Sequence, residues 1–196
     1  MMTHLSTRLR GLLCASFLSI SVATQAAWQI SDSSTVGYLS LKNNAIAEYN
    51  YFSGVSGALS EEGELTLSIA LDTVETQVAI RNQRMRDLFF KVADYPEATI
   101  SASLSPDDIA SLGSDGVIDR TIPVTLQLHG QSAELSATVR AQVSNGHLYV
   151  TTLQPLLLSV TDFGLEAGVA TLQEIAGLQA IARVIPVTVD LHFVPQ

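Results

Sequence analysis

Cysteine is almost missing from this chain: there is one, Cys14, in 196 residues. It lies in a segment that reads as an export leader. The folded domain therefore has no disulfide, no thiolate nucleophile and no Cys-ligated metal, and its core alone must hold it together. Charged residues are few, 15%, while 47% of the chain is apolar, and that balance excludes a disordered chain. Cations are scarcer still, with 10 Lys and Arg against 19 Asp and Glu, a net charge of −9. A nucleic-acid partner needs a basic surface and is excluded. No apolar run reaches the roughly 20 residues that span a bilayer. A length under 200 residues leaves one ordinary domain and rules out a large multidomain enzyme.

What is present begins with residues 1–27, MMTHLSTRLRGLLCASFLSISVATQAA. Arg8 and Arg10 precede an apolar run over 11–23 that Ser16, Ser19 and Ser21 interrupt, and Thr24-Gln25-Ala26 closes it with small residues. This is the three-part pattern of a secretory signal peptide over 1–26, cut after Ala26. Cys14 follows bulky Leu13 and does not suit a lipoprotein anchor. The domain is then 27–196, with 8 basic and 19 acidic residues and a net charge of −11. No Asn-x-Ser/Thr sequon occurs, so a bacterial periplasm is the expected location.

Two is the dominant period. Residues 64–72, ELTLSIALD, place Leu65, Leu67, Ile69 and Leu71 on one face of a strand. Residues 98–104, 121–128, 133–143 and 181–193 repeat the pattern, and weaker runs lie at 35–41, 46–59 and 147–160. That predicts about eight strands, each with one wet and one apolar face. Turns fall at 61–63, 129–131 and 144–146. Two stretches lack alternation: 76–91 predicts a helix or helical turn, and 169–176 a shorter helical stretch that Gly177 stops. Asp107 and Asp108, beside Pro106, read as a solvated turn.

Neighbouring antiparallel strands with one apolar face each form a barrel or a sandwich. At eight strands a barrel either fills with side chains or holds one small ligand. Aromatics make up only 6%, and many inward candidates are Ala, Val and Leu, which favours a cavity.

Catalytic signatures are lacking: there is no G-x-S-x-G, HExxH, GxxxxGK or GxGxxG. His129, His147 and His192 stand at spacings that no metal motif uses. The expectation is a binding protein with no catalytic residue, no metal and no cofactor. One cluster stands out. Four of the eight basic residues of the domain, Arg81, Arg84, Arg86 and Lys91, lie within eleven positions, and Leu88-Phe89-Phe90 is set among them. Such a cluster is either a solvated helix paired with surface carboxylates or a site for an amphiphile, with Arg at the head and aromatics along the chain.

At these residues the chain resembles the YceI-like family of exported lipid-binding proteins. The likeness rests on Ser34-Thr-Val-Gly-Tyr38, Phe52-Ser-Gly-Val-Ser-Gly57, Ile69-Ala-Leu-Asp-Thr73 and Arg84-Met-Arg-Asp-Leu-Phe-Phe90. It continues through Tyr95-Pro96, Ala98-Thr-Ile-Ser-Ala102, Leu126-Gln-Leu-His-Gly130 and Asp162-Phe-Gly-Leu165. Arg84-Met85-Arg86 and Gln131-Ser132-Ala133 depart from the family's usual Arg-Asp-x-His and Val-Thr-Lys. The resemblance implies an all-β fold, an eight-stranded antiparallel lipocalin-like barrel with one or two short helices. It implies a long isoprenoid or quinone-like lipid as ligand, with carriage and not catalysis as the role. Tyr38, Phe52, Phe89, Phe90 and Phe163 are the implied lining and Arg84 the polar end, with Ile69 and Leu126 as further lining positions. A packed barrel that docks a protein partner is the alternative, and a homodimer stays open.

Overall fold

The computed structural model describes residues 26–113 and 115–196. The expected leader lies outside them, apart from Ala26, which opens the first strand. The strands are β1 (Ala26–Ile30), β2 (Thr35–Lys42), β3 (Ile46–Phe52), β4 (Val55–Ser60), β5 (Glu64–Ala70), β6 (Val74–Glu75) and β7 (Glu97–Ser103). They continue as β8 (Val117–Leu128), β9 (Gln131–Ser144), β10 (His147–Thr152), β11 (Leu156–Ser159) and β12 (Val184–Pro195). The helices are α1 (Ala79–Arg84), α2 (Pro106–Leu112) and α3 (Glu166–Ile175).

These segments make eight passes of an up-and-down meander. Pairing runs β1–β4–β5–β7–β8–β9–β10–β12, and β12 returns to β1, which closes the barrel. Every pair is antiparallel. Several passes are kinked into two strands. β1 and β2 lie in succession along one edge of β12, and β10 and β11 along its other edge. Ser34 bridges the first break, with its hydroxyl donating to the His192 carbonyl (3.2 Å) and accepting from the His192 N–H (2.9 Å). Runs 46–59 and 147–160, expected as single strands, are therefore two strands each. Gly54 makes the first kink: its N–H donates to Thr73 Oγ1 (3.0 Å), and a Cβ there would meet Thr73 Cγ2 at 2.6 Å. Pro155, which has no N–H to give a ladder, sits in the other break.

The helices also depart from the expectation. The segment 76–91 is α1 followed by a π-helical turn, Met85–Phe90, which Lys91 ends in the left-handed region at φ 51°. The wider π turn brings Met85 and Phe90, five residues apart, both inward and buried. Asp107 is exposed and Asp108 half-buried, but both belong to the first turn of α2 rather than to a loop. Ser105 caps that helix by accepting from the Asp108 N–H (3.2 Å), and Pro106 has no N–H to leave unpaired at its start. The predicted short helix begins three residues early, at Glu166. Among the described residues no helix is long and apolar enough to cross a membrane.

The barrel is solid at one end. Leu59, Leu67, Val143, Leu148 and Phe193 are buried there, and α2 contributes Leu112, which is completely enclosed. At the other end β3 is continued only by the short β6, and α1, the π turn and α3 cover the barrel instead.

Candidate functional site

That second end is hollow. A cavity of about 420 Å³ lies between the strands and the helical cover, of a size that takes a small organic ligand. Its strand walls come from inward positions of the alternating runs, such as Ile69 on β5, Ile100 on β7, Leu126 on β8 and Val187 on β12. Shorter side chains, such as Ala98 on β7 and Val124 on β8, stand among them.

All eight residues singled out from the sequence border this one cavity: Tyr38, Phe52, Ile69, Arg84, Phe89, Phe90, Leu126 and Phe163. The aromatics form a continuous band. Tyr38 lies 5.8 Å from Phe52 between ring centroids, Phe52 is edge-on to Phe90 at 5.5 Å, and Phe90 is edge-on to Phe89 at 4.8 Å. Each such pair adds about 0.5–1.5 kcal/mol beyond its burial. Phe163 is fully buried in the turn between β11 and α3. The π turn is held down by α3, whose Gly168 lets Phe89 approach: a Cβ there would stand 2.9 Å from Phe89 Cδ2 and 3.2 Å from its Cα.

Polar groups gather along β2 and β3, and the sequence reading did not single them out. Ser40, Lys42 and Asn50 border the cavity, and so does Arg81 on α1. Lys42 and Arg81 both pair with Glu48, and Glu48 is held below the usual carboxylate range, first by the hydrogen bond from Lys42 and then by the charges of Lys42 and Arg81. Arg84 makes no ion pair among the described residues. The signal for this polar patch was present in the weak run at 35–41. There the phase inverts, so Leu39 and Leu41 point outward while Ser40 and Lys42 follow Tyr38 inward.

Among the described residues, two buried polar atoms in this wall have no partner, the Tyr38 hydroxyl and Asn50 Oδ1. Burial pushes the Tyr38 phenol well above its ordinary range, and the Arg81 charge offsets this only in part. His129, His147 and His192 lie elsewhere. His147 Nδ1 and His192 Nε2 share a hydrogen bond (2.9 Å), as do Ser33 Oγ and His192 Nδ1 (2.9 Å), and His129 packs on Tyr95 at 4.2 Å between centroids. Among the described residues no three metal-ligating side chains converge.

The family model for the YceI-like domain matches residues 28–193, nearly the whole described chain. The chain belongs to the YceI-like family. Among solved structures, the YceI-like barrel is similar to a polyisoprenoid binding domain from Saccharophagus degradans implicated in plant cell wall breakdown. The two share 30% identity and a TM-score of 0.83, over 88% of this chain and 100% of that one. BcnA of Burkholderia cenocepacia matches at 15% identity and a TM-score of 0.63, over 84% of this chain and 98% of that one, which shows the shared fold. No curated protein matches the YceI-like chain.

Proposed function

We propose that this protein is a periplasmic carrier that holds a long isoprenoid or similar amphiphilic lipid in the hollow end of its barrel. The observation that carries the reading is the cavity itself: a closed barrel, packed at one end, keeps about 420 Å³ open at the other behind apolar walls. Burying an alkyl chain there contributes about 0.8 kcal/mol per CH₂, so some ten carbons outweigh much of the cost of association. The aromatic band would line the chain, and Arg84, uncommitted to any carboxylate, would meet its polar end. The likeness to a polyisoprenoid binding domain supports the same ligand class. Residues 1–26 would direct the export and be removed in its course.

The test is an organic extract of the purified mature protein, analysed by mass spectrometry. A long-chain species near one per protein supports the carrier. A clean extract, together with no uptake of added isoprenoid, would leave the barrel as a docking module. N-terminal sequencing of the exported form should begin at Ala27; retention of Met1 would overturn the periplasmic assignment.

A further inference from the structure

Tyr38 and Asn50 are direct partners across the β2–β3 ladder, and both border the cavity. In this buried wall each leaves one polar atom unpaired, the Tyr38 hydroxyl and Asn50 Oδ1. An unpaired buried polar group is costly, and two such groups on paired residues of one cavity wall point to an occupant. Their chemistry is complementary. Asn50 Nδ2 donates to the Glu48 backbone carbonyl (3.2 Å), which can only accept, so the amide orientation is set and Oδ1 is the atom left over. Oδ1 can only accept. The Tyr38 phenol stays protonated, because burial disfavours its anion, and so it can donate. The nearby cations Lys42 and Arg81 are already held by Glu48, so the pair itself offers no free charge.

We infer that Tyr38 and Asn50 form a head-group subsite selective for a neutral hydroxyl: the ligand oxygen accepts from Tyr38 and its hydrogen is donated to Asn50 Oδ1. This rests on the lipid-carrier reading and narrows it. A long-chain alcohol, or a quinol as opposed to a quinone, satisfies both atoms. A carbonyl, ether or ester can only accept, and it leaves Asn50 Oδ1 unpaired. The hydroxyl oxygen has a second lone pair, so a further donor such as Arg84 is compatible with the subsite.

The experiment compares a C15 prenyl alcohol with its methyl ether, titrated into delipidated wild type, Tyr38→Phe and Asn50→Leu. The two probes share a chain, and both accept from Tyr38, but only the alcohol donates. Wild type should bind the alcohol roughly tenfold or more tighter than the ether. Asn50→Leu should bring the two affinities together, whereas Tyr38→Phe should weaken both and keep the alcohol ahead. Equal binding of both probes by wild type overturns the subsite and leaves the carrier standing. Failure of wild type to bind either probe overturns the carrier and the subsite together. Should Asn50→Leu not fold, the wild-type ratio and Tyr38→Phe decide, since the phenylalanine ring preserves the packing on Phe52.

Discussion

Arg81 on α1 reaches back 33 residues in sequence to the carboxylate of Glu48 on β3, and Lys42 of β2 joins the same oxygen. One carboxylate thereby ties the helical cover to the hairpin beneath it. Its depressed pKa has a definite linkage consequence. The stabilisation is present above the unfolded carboxylate value of about 4.5 and is lost as pH falls through the lower folded value. Thermal unfolding measured from neutral pH down to about pH 3 should show a loss of stability that is smaller in Glu48→Gln. Parallel profiles for the two proteins would remove this carboxylate from the acid response.

The hollow and packed ends predict opposite responses to the same substitution on one strand. Ile69→Trp, at the cavity wall, should lower lipid uptake with little loss of stability. Leu67→Trp, two residues away in the packed half, should cost about 1–3 kcal/mol by overfilling. Denaturant midpoints and lipid titrations on both variants check this. A large stability loss in Ile69→Trp with uptake unchanged would mean that the cavity is not the lipid site. Leu126→Trp repeats the test from β8, two strands along from β5.

Arg84 and Arg86 form the second contrast. Only Arg84 borders the cavity. Arg84→Glu should weaken isoprenoid binding by about 1.5–3 kcal/mol, ten- to a hundredfold, by removing a charge-assisted hydrogen bond to the head. Arg86→Glu should leave it unchanged. Equal affinities in wild type and Arg84→Glu, at low and high salt, would return the whole cluster to the solvated surface.

Gly168 supplies a fourth prediction, because its missing Cβ is filled by Phe89. Gly168→Ala should push the π turn away from α3 and cost about 1–3 kcal/mol as an overpacked contact. Lipid affinity should fall with it, since Phe89 and Phe90 move together. Unchanged affinity and melting temperature would show that the cover adjusts without moving the aromatic band.

Much of the barrel is legible locally. Alternation at 64–72 names Leu67 and Ile69 as inward residues, and the pleat of a strand guarantees it whatever lies opposite. The breaks at Gly54 and Pro155 are less visible, because a kink shows only when a neighbouring pass bends in register, as Gly54 and Thr73 do. The helix at 106–108 is hidden for a local reason: Ser105-Pro106-Asp107-Asp108 carries a cap and an acidic first turn as readily as it makes a loop.

The sequence by itself determined the strand faces, the lack of any thiol in the domain, and the aromatic and cationic side chains available to a site. These follow from residue type and a two-residue period, which need no knowledge of distant partners. Tertiary structure alone decided that the barrel is solid beside Leu148 and Phe193 yet hollow beside Ile69 and Leu126. A void depends on whether side chains from opposite walls meet, and those walls are far apart in sequence. It also decided that Glu48 engages Arg81 while Arg84 stays free, and that the unpaired atoms of Tyr38 and Asn50 stand in one wall. Both outcomes depend on the β2–β3 register and on where α1 docks, distances that no local pattern encodes.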